Sequence, residues 1–355
     1  MCIYAIITLF SVFFQWCGVS CKSRQWRIIS IIIACLGGSF SLFLSLNGND
    51  LYDRAVYYSH YVNFYKAYSD DVMALLATNF QQIGWMFYNW IFSYFGIDIN
   101  WLFFVTSFMY IYTTERIFEN ALNAKGERVL AVVLLFGSLV IIYSSAQVRQ
   151  FLAALILNLI FLHLLSKDRL IISLILIIID GLLIHVSALF GLIIVFIYLL
   201  VRINRNCFKF LIIVSFGFVI LLPLVLNIIS SSNFVYNTMK GTLDSNHSSW
   251  LALFKGLPLL IYCIIGIVYR GTLSKKMFVE FYITVSWLGF LCWVASAYLY
   301  WFWRLDFYLA VINIIFCVKL YYIIKINYVK YIIMLCIVYN YIFTFREIFL
   351  LYSYF

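Results

Sequence analysis

The sequence predicts an all-α, polytopic membrane protein that crosses the bilayer about twelve times. Of its 355 residues, 66% are hydrophobic and only 11% are charged, a balance that no soluble domain needs. Apolar runs suited to crossing a bilayer as helices recur along the whole chain. Alternation of apolar and polar residues, which a transmembrane barrel would show, is absent from the sequence. We therefore expect one integral membrane domain over residues 1–355.

Short basic segments and two polar outer loops, at about residues 47–82 and 230–250, separate the apolar runs. In chain order, the runs cover residues 3–19, 28–46, 84–118, 129–143, the hairpin 143–187, 188–200, 210–229, 251–269, 278–297, 305–318 and 331–350. We predict helices in these runs because a transmembrane helix needs about 20 predominantly apolar residues. Where a run is shorter, flanking residues would have to extend the helix.

One aromatic region does not fit a simple count of crossings. Residues 84–118 look like two helices interrupted at 96–100, but the loops on either side require an odd number of crossings. Residues 84–95 are short for a crossing, so we interpret them as a re-entrant or interfacial helix. Membrane proteins tolerate such a segment where it lines a cavity.

The basic residues predict which side each loop faces. Seventeen of the 24 Lys and Arg residues lie in six short segments, which the positive-inside rule places in the cytoplasm. The segments are 22–27, 115–128, 167–169, 202–209, 270–276 and 319–330. This topology puts Arg149, His185, Arg304 and both polar loops outside. It also explains the net charge of +10 without a nucleic acid partner, which we do not expect.

Two ionisable residues frame the hairpin 143–187. Arg149 opens its first run and His185 closes its second, so both return to the same side of the membrane. Ionisable groups at membrane depth cost roughly 2.5–3.5 kcal/mol for arginine at a helix centre, which makes them functional candidates. Arg149 either snorkels at a helix end or holds a diphosphate in its planar fork.

His185 has two interpretations as well. It is either a helix-end histidine bonded to a carbonyl, or a base or hydrogen-bond donor at the outer surface. Asp180, five residues earlier, lies deeper and has no predicted partner. Arg304 follows an aromatic turn that contains Tyr300, Trp301 and Trp303. These rings form either a membrane-interface belt or, beside the cation, a surface for a sugar joined to a phosphate.

A small charged group follows the second apolar run. It consists of Asp50, Asp53 and Arg54. Two carboxylates three residues apart are weak evidence for a metal, and a solvated loop is the simpler interpretation. We predict that neither aspartate holds an essential divalent ion. The nine cysteines are scattered and form no CxxC pair, so neither a zinc site nor a disulfide framework is expected.

Short motifs in a fixed order resemble the EpsG-type exopolysaccharide polymerases, relatives of the Wzy O-antigen polymerases. The matching residues are Gly48-Asn49-Asp50 with Tyr57 or Tyr58 downstream, Gln82-Ile83-Gly84-Trp85, Arg149-Gln150, and His185-Val186-Ser187-Ala188. Arg304 is similar to a later arginine ahead of an apolar helix. Two positions depart from the family pattern. Asn47 precedes Gly48 where an arginine is usual, so Arg54 takes that role or the role is absent. Gln82 replaces a glutamate and cannot be an ionised base.

The resemblance implies a multi-pass glycosyltransferase of the bacterial inner membrane, with a GT-C-like architecture. It would join oligosaccharide repeat units, carried on undecaprenyl diphosphate, at the outer face, as in O-antigen or exopolysaccharide synthesis. Arg149, Arg304 and Arg54 would bind the diphosphate, and His185 or Asp50 would deprotonate the acceptor hydroxyl. The implied partners are the lipid-linked oligosaccharide, membrane lipids and a chain-length regulator protein. No cofactor and no metal are expected.

Three other functions remain as alternatives. A flippase for the same lipid-linked sugars would more often show internal repeats or paired broken helices, and the sequence has no convincing repeat. A membrane O-acyltransferase would normally carry a histidine in or near its first helix, whereas the first histidine here is His60. A nonenzymatic scaffold would not explain an arginine and a histidine at helix ends on one side.

Overall fold

The described part of the chain is helical throughout. In this computed structural model, the structure describes residues 2–39, 52–78, 81–136, 147–167, 169–230, 249–296 and 300–353. Its α-helices are α1 (Cys2–Ser20), α2 (Arg24–Ser39), α3 (Tyr52–Asn63), α4 (Val72–Ala77), α5 (Ile83–Tyr94), α6 (Ile99–Ala121), α7 (Lys125–Phe136), α8 (Val148–Lys167), α9 (Leu170–Leu183), α10 (Phe190–Ile203), α11 (Cys207–Ser230), α12 (Ser249–Val268), α13 (Arg270–Leu273), α14 (Val279–Ala295), α15 (Asp306–Ile323) and α16 (Asn327–Ser353). Short 3₁₀ turns cover Tyr65–Tyr68, Val186–Leu189 and Tyr300–Leu305. No strand occurs within these ranges, which confirms the predicted all-α class.

The chain packs into two compact units. The N-terminal unit contains Met1–Gly191 and Tyr341–Phe355, and the C-terminal unit contains Leu192–Asn340. Each has its own buried apolar core. The expected single membrane domain over residues 1–355 stays a prediction.

Several helices are apolar enough to contact lipid. Among the described residues, two helical segments have both the length and the composition to cross a membrane, Val186–Ile203 and Phe302–Ile323. Shorter apolar helices cover Leu9–Ser20, Val148–Leu162, Leu170–Leu183, Cys207–Gly217, Phe254–Val268 and Val279–Ala295. These helices fit a polytopic protein, and the number of about twelve crossings stays a prediction.

The aromatic region 84–118 forms the two helices that the sequence predicts. Helix α5 has 12 residues and α6 has 23. Gly96, at φ 63°, makes the bend between them, a conformation that glycine adopts without steric cost. At 1.5 Å per residue, α5 is about 18 Å long, too short to span a bilayer core of about 30 Å. Its length therefore suits the predicted re-entrant or interfacial helix, while its place in a membrane stays a prediction.

The basic segment at 115–128, which the sequence predicts as a cytoplasmic connection, is helical in its first part. Helix α6 continues to Ala121, because its acidic residues have partners on α1 and α2. Gln15 donates to Glu115 at 2.6 Å, Arg27 lies 3.4 Å from the same carboxylate, and Arg27 also pairs with Glu119. Partnered charges stabilise the helix end where unpartnered ones would favour a solvated loop.

Glycines allow close helix packing in the C-terminal unit. A Cβ atom at Gly256 of α12 would lie 2.9 Å from the Cβ of Trp293 on α14. A Cβ atom at Gly289 of α14 would lie 3.0 Å from Asp306 Oδ1 at the start of α15. Small residues at such contacts are typical of packed membrane helices. They bring the aromatic and polar side chains around Arg304 together.

Candidate functional site

The hairpin of α8 and α9 carries Arg149 and His185 at one end. Arg149 lies in the first turn of α8. His185 follows α9 and caps the 3₁₀ turn Val186–Leu189, which packs against α8. The two helices run antiparallel against each other, as the sequence predicts. The two residues therefore lie at the same end of the hairpin.

The side chain of Arg149 contains a buried nitrogen atom that is not hydrogen-bonded within the described structure. This atom is Nε, which has no hydrogen-bond partner among the residues that the structure describes. Gln147 lies two residues before Arg149 and immediately precedes α8. Its backbone carbonyl oxygen accepts hydrogen bonds from Gln150 N at 3.0 Å and from Phe151 N at 3.1 Å. The first N–H groups of an α-helix have no partner within the helix, and they favour an anion. A guanidinium beside a helix N-terminus suits a phosphate group.

Gln147 contributes a second unsatisfied atom at this place. Its side chain is only 4% exposed, and its Oε1 has no partner in the described ranges. Buried side-chain oxygens in folded proteins are nearly always hydrogen-bonded to protein or to water. The donor to Gln147 Oε1 therefore has to come from outside the described residues.

Tyr65, Gln81 and His60 form a polar chain in the predicted outer loop. Tyr65 donates to Gln81 Oε1 at 3.1 Å, and Gln81 Nε2 lies 3.5 Å from His60 Nδ1. Burial raises the pKa of Tyr65, and the positive charge of Arg149 lowers it in part, so the two side chains are electrostatic neighbours. Burial also lowers the pKa of His60, which keeps this imidazole neutral at pH 7.

This outer segment is folded, whereas the sequence suggested a loop over residues 47–82. Its described part forms α3, the 3₁₀ turn Tyr65–Tyr68 and α4. Hydrogen bonds attach it to the α5–α6 corner: Tyr61 donates to the Ile97 carbonyl at 2.5 Å, and Trp90 Nε1 donates to the Ser69 carbonyl at 2.9 Å. Polar and aromatic side chains thus stabilise a segment with few aliphatic residues.

A glycine brings the start of α5 against the end of α9. A Cβ atom at Gly84 would lie 2.9 Å from the carbonyl oxygen of Leu183 and 2.8 Å from Cδ1 of Ile184. Any larger side chain would push the two helix ends apart. Gly84 lies three residues after Gln81, and Ile184 immediately precedes His185. The close contact therefore links the segment with Gln81 to the segment with His185.

The hydrogen bonds of His185 indicate which ring nitrogen carries the proton. Ser187 N donates to His185 Nδ1 at 3.2 Å, and the Ser187 hydroxyl lies 2.5 Å from the same nitrogen. A backbone N–H can only donate, so Nδ1 is an acceptor and the proton of the neutral ring is on Nε2. In this arrangement His185 offers a hydrogen-bond donor.

Asp180 and Arg54 are both deeply buried, with different surroundings. Asp180 is 2% exposed, and neither carboxylate oxygen has a partner among the described residues. Arg54, also 2% exposed, donates to Asn100 Oδ1 at 2.7 Å and lies 4.7 Å from the ring centre of Phe103. The Arg54 guanidinium is therefore engaged inside the fold, and a role with a diphosphate stays a prediction.

The C-terminal unit surrounds Arg304 with aromatic rings. Arg304 lies 5.9 Å from the ring centre of Trp303, and Trp303 stacks on Trp293 with 5.9 Å between ring centres. Trp303 is buried and also meets Phe307 edge-on at 5.2 Å. On α12, Lys255 lies 5.5 Å from the ring centre of Trp293. The Trp303 ring thus takes part in packing within the unit.

A polar network continues from these rings. Trp293 Nε1 donates to Asp306 Oδ2 at 3.0 Å, and Asn313 Nδ2 donates to Asp306 Oδ1 at 3.5 Å. Ser286 in turn donates to Asn313 Oδ1 at 2.9 Å. The Asp306 carboxylate is therefore bonded to Trp293 and Asn313.

Some predicted site residues cannot be placed. Asp50 lies outside the described residues, and the side chains of Asp53, Tyr300 and Trp301 are likewise outside the description. Within the described ranges, no three His, Cys, Asp or Glu residues come together as metal ligands could.

The structure adds residues that the sequence analysis did not select. In the N-terminal unit they are His60, Tyr65, Gln81 and Gln147, and in the C-terminal unit Lys255, Trp293 and Asn313. Gln147 had a visible signal, because it directly precedes Arg149 at a helix start. Tyr65 and Gln81 had none, since their hydrogen bond to each other depends on how the outer segment folds.

The fold and sequence comparisons define the protein in two steps. The described part of the chain is all-helical and rich in apolar helices, an architecture compatible with the class of polytopic helical membrane proteins. More particularly, the chain belongs to the EpsG family, which is matched over residues 28–354. This family assigns it to polysaccharide biosynthesis, with a polymerase activity of the glycosyltransferase type. No curated protein and no solved structure matches it.

Proposed function

We propose that this chain is an exopolysaccharide or O-antigen polymerase, which joins undecaprenyl-diphosphate-linked repeat units at the outer face of the bacterial inner membrane. The observation that carries the proposal is the position of Arg149 at the N-terminus of α8. The buried Nε of Arg149 has no hydrogen-bond partner among the described residues. Membership of the EpsG family supports the polymerase class. The lipid diphosphate, the outer face and the inner membrane are parts of the proposal.

Arg149 and the start of α8 would hold the leaving group. In the proposed reaction, a hydroxyl oxygen of the acceptor bonds to the anomeric carbon of the donor sugar. The bond from that carbon to the phosphate oxygen breaks, and its electron pair remains on the diphosphate. Charge grows on the phosphate in the transition state, where fixed donors stabilise it without reorganising. A guanidinium fork suits two phosphate oxygens at once, and it stays charged at any relevant pH.

His185 would act here as a hydrogen-bond donor. Its Nδ1 accepts from Ser187 N at 3.2 Å, so Nε2–H can donate to a phosphate or sugar oxygen. To act as a base through Nε2, the ring would have to exchange its tautomer and lose the bond from Ser187. Removal of the acceptor proton then falls to another group, and Asp50 stays the candidate that the sequence predicts.

Deletion of the gene separates a polymerase from a flippase for the same lipid. Surface polysaccharide from the deletion strain is analysed on a gel. If the chain is the polymerase, the long ladder disappears and a single repeat unit remains on the surface. Complete loss of surface sugar contradicts the proposal and favours a flippase, because the repeat unit would no longer reach the outer face.

A purified system tests the chemistry directly. The full chain in liposomes is supplied with lipid-linked repeat units extracted from the deletion strain. We expect longer saccharides to form together with undecaprenyl diphosphate, one molecule for each bond made. We also expect the reaction to continue in a chelator, because the predicted arginines, Arg149 among them, would offset the negative charge of the leaving group. A reaction that stops in chelator and recovers with magnesium would disprove that account of the charge.

A further inference from the structure

Ser187 places both of its hydrogen-bond donors on one ring nitrogen of His185. Its backbone N–H donates to Nδ1 at 3.2 Å, and its hydroxyl oxygen lies 2.5 Å from the same atom. Because Nδ1 accepts from a backbone N–H, it carries no proton, and the Ser187 hydroxyl must donate to it as well. One edge of the His185 ring is therefore attached to the turn that follows it.

The turn that carries Ser187 is itself packed against α9. The backbone N–H of His185 donates to the Asp180 carbonyl oxygen at 3.2 Å. A Cβ atom at Gly181 would lie 2.5 Å from Cδ2 of Leu189, the last residue of the 3₁₀ turn. Any side chain at this glycine would displace Leu189. The position of Ser187 relative to the His185 ring thus follows from the packing of the backbone.

The Ser187 hydroxyl differs in its partner from another serine of the same hairpin. Ser173, in the first turn of α9, donates to the Arg169 carbonyl at 2.8 Å, and a serine that only stabilises a helix or turn usually bonds to backbone in this way. Ser187 instead donates to an imidazole nitrogen. Its hydroxyl therefore acts on the ring of His185, both on its rotation about the side-chain bonds and on the nitrogen that carries the proton.

We propose that Ser187 is a positioning residue for His185, and that it orients the Nε2–H donor for a phosphate or sugar oxygen of the substrate. The inference rests on the proposed polymerase function and adds a residue to it. A donor that is oriented before the reaction stabilises the charge that grows on the phosphate without reorganising. Loss of the hydroxyl should therefore slow the reaction more than it weakens substrate binding.

The ring nitrogens of His185 report the contact directly. The full chain is prepared with isotope-labelled histidine, and the His185 signals in the nitrogen NMR spectrum are those that His185→Gln removes. We expect Nδ1 to give the signal of an unprotonated, hydrogen-bonded nitrogen. Ser187→Ala should shift this signal toward that of a weaker hydrogen bond, and Ser187→Thr, which keeps the hydroxyl, should leave it in place. An Nδ1 signal that Ser187→Ala does not change would overturn the proposal.

Polymerisation in liposomes measures the effect on the reaction. At saturating lipid-linked repeat unit, Ser187→Ala should lower the rate about fivefold, the worth of one hydrogen bond between uncharged groups, with KM nearly unchanged. Ser187→Thr should restore the rate. Ser173→Ala removes the hydroxyl that is bonded to the Arg169 carbonyl and should leave the rate unchanged. If Ser187→Ala does not reach the membrane, Ser187→Cys, which has a weaker donor of similar size, takes its place.

A double substitution shows whether Ser187 acts through His185. Glutamine matches Nε2 with its amide nitrogen and has no acceptor at the place of Nδ1, so Ser187→Ala should change the residual rate of His185→Gln by less than about twofold. A full fivefold loss in that background would overturn the proposal, because the hydroxyl would then act independently of the ring.

Failure of the positioning role is distinguishable from failure of the proposed function. A normal rate for Ser187→Ala in an active system overturns the role of Ser187 and leaves the polymerase proposal standing. A wild-type chain that forms no polymer from the lipid-linked repeat unit contradicts the proposed function itself, and the positioning role with it.

Discussion

The two arginines that the sequence treats alike have different surroundings. In the N-terminal unit, Arg149 lies in the first turn of α8, where backbone N–H groups without partners inside the helix favour an anion. In the C-terminal unit, Arg304 lies against Trp303, which in turn stacks on Trp293. A cation on an aromatic ring gains about 0.5–2 kcal/mol without needing a hydrogen-bonding fork. The surroundings of Arg304 give it a part in packing, whereas the position of Arg149 at a helix N-terminus suits the ligand role that we propose for it.

The largest difference between the units should appear when each arginine is replaced by lysine. Arg149→Lys keeps the charge and loses the planar fork, so it should abolish the polysaccharide ladder nearly as fully as Arg149→Ala, a loss of about 10- to 100-fold in polymer. Arg304→Lys should keep more activity than Arg304→Ala, because lysine also interacts with an aromatic face. Ladders are compared at matched protein level in the membrane.

An exposed basic residue, Lys66, serves as the control for both arginines. Lys66 is exposed and lies 6.0 Å from the ring centre of Tyr61, so Lys66→Ala should leave the ladder nearly normal. If Arg304→Lys is as damaging as Arg149→Lys, both arginines act as forked clamps and the contrast drawn here is wrong. A normal ladder from Arg149→Ala would remove the main support for the proposed site.

A smaller effect is expected from substitution of His185. The outcome depends on which ring nitrogen carries the proton, because this determines whether the side chain acts as a hydrogen-bond donor. The proton of the neutral ring is on Nε2, since Ser187 N donates to Nδ1. Glutamine can donate from a similar position, so His185→Gln should retain about a tenth or more of the polymer, whereas His185→Ala should abolish it. Polymer yield is measured on the same gels. If His185→Gln and His185→Ala are equally inactive, the ring acts as a base and the donor role fails.

The sequence predicted more of the fold than of the site. Apolar run lengths predicted the helices, and the bend at Gly96 separated α5 from α6 as expected. The placement of Arg149 and His185 at one end of a hairpin also followed from the order of the runs. Such features depend on local periodicity and length, which a single sequence carries.

The neighbours of Arg149 could not be predicted in the same way. Tyr65, whose pKa is influenced by the charge of Arg149, lies in the outer segment that folds onto the α5–α6 corner through bonds such as Tyr61 to the Ile97 carbonyl. That folding depends on long-range hydrogen bonds, and its polar composition is equally typical of a solvated loop. Similarly, nothing in the order of residues indicates that Trp293 donates to Asp306 rather than to solvent.

In the C-terminal unit, we expect the network around Asp306 to affect stability more than activity. Trp293→Phe keeps an aromatic ring for Trp303 and removes the donor to Asp306 Oδ2. Leaving a carboxylate oxygen without its donor should cost about 2 kcal/mol of folding free energy. The apparent melting temperature of the purified protein should fall by several degrees, with polymer yield less affected.

A second tryptophan on α14 gives the matched comparison. Trp287 Nε1 donates to the Ser215 hydroxyl at 3.0 Å, an uncharged acceptor that can rotate to another partner. Trp287→Phe should therefore lower the apparent melting temperature by less than Trp293→Phe. If Trp287→Phe lowers the melting temperature more than Trp293→Phe does, the hydrogen bond to Asp306 is not a main stabilising contact of this unit. Aromatic packing around Arg304 then contributes more to stability than the hydrogen bonds of Asp306.

The smallest predicted effect concerns Asp180, and its sign is the informative part. Both carboxylate oxygens are buried without partners among the described residues, whereas the buried Asn158 on α8 donates to Thr114 Oγ1 at 3.1 Å. Burying an unpaired carboxylate costs more than burying an amide, so Asp180→Asn should raise the apparent melting temperature by about 2 °C. The opposite change, Asn158→Asp, should lower the melting temperature.

If polymer yield falls in the more stable Asp180→Asn protein, the carboxyl group is kept for function at the expense of stability. If Asp180→Asn instead lowers the melting temperature as Asn158→Asp does, then the Asp180 carboxylate has a stabilising partner outside the described residues.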